Sequence, residues 1–221
     1  MPSVKLVALS NPLIEGVKTA EEFIAYAARV SNPGNQMNME TAPKLLKYLM
    51  KNHHWSPFEM VSMTVEINTT RDIARQILRH RSFSYQEFSQ RYADASQLGF
   101  ETRECRLQDT KNRQNSIEVN DSDTKVKNTW LAMQESLLEE VKAVYKWALD
   151  NGIAKEQARA VLPEGMTHSR LYMSGTLRSW IHYCQLRCSN GTQKEHKELA
   201  IAVLEILNRE FPSLEIEIIQ K

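Results

Sequence analysis

This 221-residue chain has three cysteines, Cys105, Cys184 and Cys188. An odd number without a CxxC pair argues against a disulfide framework and fits a reducing compartment. Three thiols are also too few for an all-cysteine tetrahedral zinc site. Its seven glycines form neither GxGxxG nor GxxxxGK[ST], so both glycine-rich phosphate loops are missing. No apolar run approaches the ~20 residues of a membrane span. The opening MPSVKLVALSNP is too short in apolar residues for a signal peptide and lacks a small-residue cleavage pattern. A cytoplasmic protein with no membrane partner is therefore expected. Net charge is nearly absent too: 28 basic residues face 27 acidic ones. A chain-wide attraction to nucleic acid is not indicated, and any basic function must be local.

What is present is an ordinary globular composition, 42% hydrophobic and 25% charged. Val4 to Leu9 reads as a strand. Thr19 to Glu22 has the capping-box pattern, followed at helical spacing by Ala20, Phe23, Ile24, Ala27 and Ala28. Residues 32–35 break the chain, and 43–52 form a second helix. Val61, Met63, Val65 and Ile67 alternate as a strand. A capping-type start at Thr69 opens a helix over 70–80, with Ile73, Ala74, Ile77 and Leu78 on its apolar face. Residues 101–108 are ambiguous, and 111–125, almost wholly polar, read as a loop that is either functional or mobile. The spacing of Trp130, Met133, Leu137, Val141, Val144 and Ala148 predicts a long helix over 128–149, with Gly152 where a C-terminal cap belongs. A short helix ends at Pro163. Helices over 172–188 and 192–210 follow, then a strand over 214–219. There is no repeat and no convincing linker. The expectation is an α+β (mixed α/β) fold, one domain over 1–221, with several helices on a small sheet.

The densest chemistry lies in Arg79 to Tyr92, RHRSFSYQEFSQRY. Arginine and histidine in the last turn of a helix complement its dipole, so Arg79 and His80 alone could be structural. That reading leaves the continuation unexplained. Forked guanidinium donors match phosphate. Hydroxyls and amides at Ser82, Ser84, Gln86, Ser89 and Gln90 add directional bonds. Aromatics at Phe83, Tyr85, Phe88 and Tyr92 can stack on a base or flavin. The set suits a nucleotide or dinucleotide. A competing reading takes Arg71, Arg75 and Arg79 along one helix as a nucleic-acid face; the charge balance opposes it. A further alternative is a flavoprotein acting on another nucleotide.

The stretch resembles the signature RHRxxSxxxxSxR of the flavin-dependent thymidylate synthases, with Arg79, His80, Arg81, Ser84, Ser89 and Arg91 at every fixed position. The segment from His54 to Glu59 resembles that family's H-x-[ST]-P-F-E, Ala158 to Pro163 its ARxxLP, and Arg178 to Arg187 its C-terminal catalytic helix. The resemblance spans roughly residues 5–210. It implies methylation of dUMP to dTMP with FAD as cofactor, methylenetetrahydrofolate as carbon donor and NADPH as reductant. It also implies a homotetramer with sites shared between subunits, no nucleic-acid partner and no cysteine nucleophile.

Carried over residue by residue, the resemblance assigns Arg187 as the catalytic residue at the uracil edge. It places Ser56, Arg79, His80, Arg81, Glu87, Thr176, Leu177, Arg178 and His182 at the cofactor. It places Gln76, Arg79, Glu87, Phe88, Ser89, Gln90, Arg91, Arg159 and Arg187 at the substrate. Ser89 has no evident base to activate it and is read as a binding residue. His54 matches a histidine thought to position folate. Thr176 and His182 stand where asparagines are common, and Gly191 where some members have histidine. No metal is expected, because His53 and His54 lack further ligands at suitable spacing. Helical geometry at ~100° per residue puts Leu177, Ile181, Cys184 and Cys188 on one apolar stripe. Arg178, His182 and Gln185 flank it on one side, and Thr176, Trp180, Tyr183 and Arg187 on the other. Cys184 and Cys188 are therefore read as small core residues. Glu195 to Glu198, His196 included, is read as solvated charge.

Overall fold

The computed structural model describes residues 2–120, 123–216 and 218. Its centre is a four-stranded antiparallel sheet in the order β1-β2-β6-β3. The strands are β1 (Ser3–Leu9), β2 (Ser62–Thr70), β3 (Ser84–Glu87) and β6 (His168–Thr176). β2 and β6 pair along their whole length, Ser62 opposite Thr176 and Thr70 opposite His168. Alternation decides what each face does. Met63, Val65 and Ile67 from β2 and Leu171 and Met173 from β6 are buried in the core. The opposite face is polar: Thr64 donates to Ser174 (2.8 Å), Tyr172 to Glu66 (2.9 Å) and Arg170 to Asn68 (3.0 Å).

Helices α1 (Ala20–Ala28), α2 (Ala42–Lys51), α3 (Arg71–Ile77), α6 (Leu177–Arg187) and α7 (Lys194–Glu210) contribute to this core. α1 starts as its sequence indicates. Thr19 Oγ1 accepts from the Glu22 N–H (3.1 Å), and the Glu22 carboxylate accepts from the Thr19 N–H (3.2 Å). The long α4 (Thr124–Asp150) and short α5 (Lys155–Ala158) enclose a second cluster of Ala95, Val141, Tyr145, Ala148, Ala158 and Leu162. Gly152, at φ +75, follows the end of α4 in the left-handed conformation that glycine adopts without strain.

Several expectations need correction. Residues 172–176 are the end of central strand β6, not the start of a helix. Leu171 and Met173 are two apart, and pairing on both edges outweighs any helical reading through Leu177. The segment 111–125 is not all loop: Ser116–Glu118 (β5) pairs with Arg106–Gln108 (β4), and α4 begins at Thr124. Of the described residues in the expected strand 214–219, Leu214, Glu215, Ile216 and Ile218 belong to no strand; Glu217 and Ile219 lie outside the description. The inward face of α4 is Gln134, Leu138, Val141, Tyr145 and Ala148. Trp130, Met133, Leu137 and Val144, expected inside, are exposed, Met133 at 65%.

Candidate active site

The signature divides into three pieces. Arg79 to Phe83 turn out of α3, Ser84–Glu87 become edge strand β3, and Phe88 to Tyr92 lead toward α5. The first turn is fixed from three sides. Tyr85 Oη lies 2.9 Å from the Ile77 carbonyl and 2.8 Å from that of His80, and burial raises its pKa to about 12, keeping it a donor. Ser179 Oγ reaches the Ser82 carbonyl at 3.4 Å. The Phe83 ring lies flush on Gly175, where a Cβ would sit 2.5 Å from it. Only glycine permits that approach, and it lets Phe83 meet Trp180 at 4.6 Å between centroids.

The same turn faces α6. Arg187 Nε–H donates to His80 Nε2 at 2.8 Å. Burial, then the charges of Arg187 and Arg79, lower the His80 pKa to about 4, so its ring is neutral at pH 7 and can accept this bond. Among the described residues Arg187 Nη1 and Nη2 have no hydrogen-bond partner. α6 is buried more widely than one stripe: Trp180 and Tyr183, expected on a flank, are inside with Leu177, Ile181 and Cys184. Cys184 and Cys188 are both buried.

Further along, Glu87 accepts from Ser169 Oγ (2.7 Å) and lies between Arg71 (3.4 Å) and Arg75 (3.6 Å). Both arginines also approach Glu164. Arg71 is 6% exposed and Arg75 is exposed, and both pair with carboxylates of this chain rather than standing free as the nucleic-acid reading needs. Arg91 pairs with Glu156 (3.0 Å), and Arg159 Nε approaches the Glu156 carbonyl at 3.4 Å. Ser89, Arg91, Tyr92, Lys155 and Glu156 line a groove of about 380 Å³. Gln90 is buried, and its Nε2 has no partner among the described residues.

Among the remaining assigned residues, Arg178 pairs with Glu59. Exposed His182 stands edge-on to Trp55 at 4.7 Å, its pKa lowered by burial, then by Arg178 and His53. Ser56 is exposed at the start of the turn Ser56–Glu59. Thr176 caps α6, accepting from the Ser179 N–H. Leu177 lies in the core, its N–H donating to the Val61 carbonyl at 2.8 Å. Arg79 and Arg81 are exposed with no side-chain partner among the described residues. Free guanidinium groups and the orphaned Gln90 amide are donors suited to an anionic ligand, and the Trp55–His182 pair offers aromatic surface to flat rings. The residues present therefore fit a flavin dinucleotide and a nucleotide.

One correction concerns His196. It is fully buried, contacting Tyr183 and Gln76. Its place was legible in the sequence, since His196, Ala200, Val203 and Leu207 share the inward face of α7. Gln193 and Ser169 also escaped the sequence reading, and Arg71 and Arg75 were read only as a possible nucleic-acid face, not as partners of Glu87. The Glu87 contacts of Ser169, Arg71 and Arg75 and the Gln76 contact of Gln193 join different elements, and no local pattern marks those pairings.

The fold is of the α+β class, and its free guanidinium groups are of the kind that bind phosphate. The family model described as thymidylate synthase complementing protein matches residues 12–213. A probable flavin-dependent thymidylate synthase of Paramecium bursaria Chlorella virus 1 is 53% identical over 212 residues, covering 96% of each chain. The flavin-dependent thymidylate synthase of Synechocystis sp. is 49% identical over 214 residues, again covering 96% of each. Among solved structures, the UMP/dUMP methylase PolB of Streptomyces cacaoi, bound with 5-Br UMP, superposes with a TM-score of 0.77 at 27% identity, covering 96% of this chain and 91% of that one. The chain belongs to the flavin-dependent thymidylate synthase family.

Proposed function

We propose that this chain, acting as one domain over residues 1–221, catalyses the flavin-dependent methylation of dUMP to dTMP in the cytoplasm. The carbon comes from methylenetetrahydrofolate and the reducing equivalents from NADPH. The observation that carries the reading is the Arg187–His80 pair, which leaves the Nη groups of a half-buried guanidinium free beside the signature turn. A fixed guanidinium at the uracil edge stabilises negative charge over N3 and C4 and so makes C5 a better nucleophile. Arg91 and Ser89, with Arg159, would take the phosphate, and Gln76, Glu87, Phe88 and Gln90 the rest of the nucleotide. Arg79, Arg81, His80, Ser56, Arg178 and His182 would hold FAD, which when bound supplies hydride chemistry. Release of tritium from C5-labelled dUMP, dependent on flavin and folate, tests the reaction. A purified flavin-loaded protein that releases none refutes it.

We further propose a homotetramer with shared sites. Trp130, Met133, Leu137, Val144 and Trp147 lie at steps of three, four, seven and three residues along the outside of α4, Trp147 at 60% exposure. That spacing suits a second helix of the same kind. Sedimentation of wild type and Leu137→Lys should give a tetramer and a smaller species. A monomeric wild type at micromolar concentration refutes assembly.

A further inference from the structure

Behind the Arg187–His80 pair runs a chain of half-buried and buried polar groups whose direction can be worked out from one end. Arg106 Nη2 bonds the Glu195 carboxylate, and Arg103 approaches it at 3.3 Å. Burial would raise the Glu195 pKa, but the Arg106 bond and the Arg103 charge take it down to about 2. An ionised carboxylate only accepts. Glu195 Oε2 therefore receives the Gln193 Nε2–H at 3.0 Å. That turns Gln193 Oε1 toward Gln76, which must present Nε2–H, at 2.7 Å. Gln76 Oε1 then faces His196 Nδ1 at 3.3 Å, so Nδ1 carries the proton. His196 Nε2 is left with a lone pair, and Tyr183 Oη–H donates to it at 3.1 Å.

Each link has one orientation. An imidazole fully out of water satisfies both nitrogens only as this neutral tautomer. Burial, with the charges of Arg187 and His80, takes the His196 pKa down to about 3, consistent with the geometry. Tyr183 in turn packs against the His80 ring at 5.0 Å between centroids.

We propose that His196 is a positioning residue for the nucleotide site: its Nδ1–H, together with Gln193 Oε1 at the other end, clamps the Gln76 amide so that the second Gln76 N–H is the donor offered to the nucleotide, while its Nε2 holds Tyr183 against His80 and Arg187. The inference rests on the reading of Gln76 as part of that site. Without the Nδ1–H, the Gln76 amide is held only at its Nε2 end by Gln193, its Oε1 loses its partner, and the second N–H is no longer fixed in direction.

The test is calorimetric titration of flavin-loaded protein with dUMP. Gln76→Ala and His196→Leu should each weaken binding about five- to tenfold, within the roughly two- to twelvefold range of one lost neutral hydrogen bond, and the double variant should be no worse than either. His196→Asn, which keeps a donor near the Nδ1 position, should stay within about twofold of wild type. Nitrogen-15 spectra of the wild type should show His196 protonated at Nδ1 from pH 8 to pH 5. Unchanged affinity in His196→Leu beside a weakened Gln76→Ala overturns the inference alone. Unchanged affinity in Gln76→Ala overturns the reading of the site and the inference with it. Losses in Leu and Asn variants that only follow their melting temperatures, or an Nε2–H tautomer, reduce His196 to packing and also overturn it.

Discussion

If the Arg187 guanidinium works through donors that His80 holds in place, the two residues act as a unit. The structure gives the pair one bond of 2.8 Å, from a charged donor to a neutral ring. A hydrogen bond involving a charged group contributes about 1.5–3 kcal/mol. His80→Phe, which keeps the ring and removes the acceptor, should then lower kcat by roughly 10- to 150-fold. Arg187→Ala removes the donors themselves, which typically costs ~10²–10³ in kcat, or about 2.7–4 kcal/mol. Arg187→Lys should fail nearly as badly, because a point charge cannot reproduce the fork. The decisive variant is the double one. If His80 contributes to catalysis only by orienting Arg187, the double variant should be no slower than Arg187→Ala, and the coupling should equal the His80→Phe loss. The assay is single-turnover conversion of dUMP, with flavin occupancy checked by absorbance for each variant. Losses that add to a slowdown of ~10³–10⁵ would mean that His80 contributes separately from Arg187, and the positioning argument would fail. An Arg187→Ala enzyme within about threefold of wild type, far short of the loss of one charge-stabilising donor, would remove Arg187 from the chemistry.

Other expectations follow from the same contacts. Arg91→Ala should weaken dUMP on the order of 30- to 150-fold and leave deoxyuridine, which lacks the phosphate, unaffected. Glu156→Ala, which frees Arg91 from its 3.0 Å partner, should tighten dUMP by a few fold; calorimetry showing equal losses for both ligands in Arg91→Ala would move the phosphate elsewhere. Replacing all three cysteines by alanine should preserve methyl transfer, with Cys184→Ala costing about 1 kcal/mol of stability from the space it leaves in the core. Inactivity of a folded, flavin-loaded Cys184→Ala would reopen covalent catalysis. Acid should destabilise the fold through His196. Its folded pKa of about 3 lies below the ordinary 6.5, so the unfolded chain takes up the proton first. The associated stability is whole above about pH 6.5 and is lost as pH falls toward 3, at ~1.4 kcal/mol per unit. The melting temperature should therefore drop more between pH 7 and pH 4.5 in wild type than in His196→Leu, and parallel curves would contradict the buried neutral assignment.

Local chemistry was legible along the chain wherever a residue's partner lay within a few positions. The capping box at Thr19 and Glu22, the alternation of Val61 to Ile67, and the cap at Gly152 all appear as read. The six fixed positions of the signature and the helix that ends at Arg187 pointed to the family and to the residues to look for. Periodicity also found an apolar stripe on α4 but could not say what covers it. In the single chain Met133, Leu137 and Trp147 face outward while Tyr145 and Leu138 face in, because the choice depends on which neighbour each side meets. For the same reason 168–176 became a strand: its hydrogen bonds come from β2 and β3, which lie about 100 residues away in sequence. Only the tertiary structure placed Arg71, Arg75 and Ser169 on Glu87, or joined Tyr183, His196, Gln76, Gln193 and Glu195 into one directed chain. A buried polar group must find its partner inside the protein, and the sequence does not state which distant residue that will be.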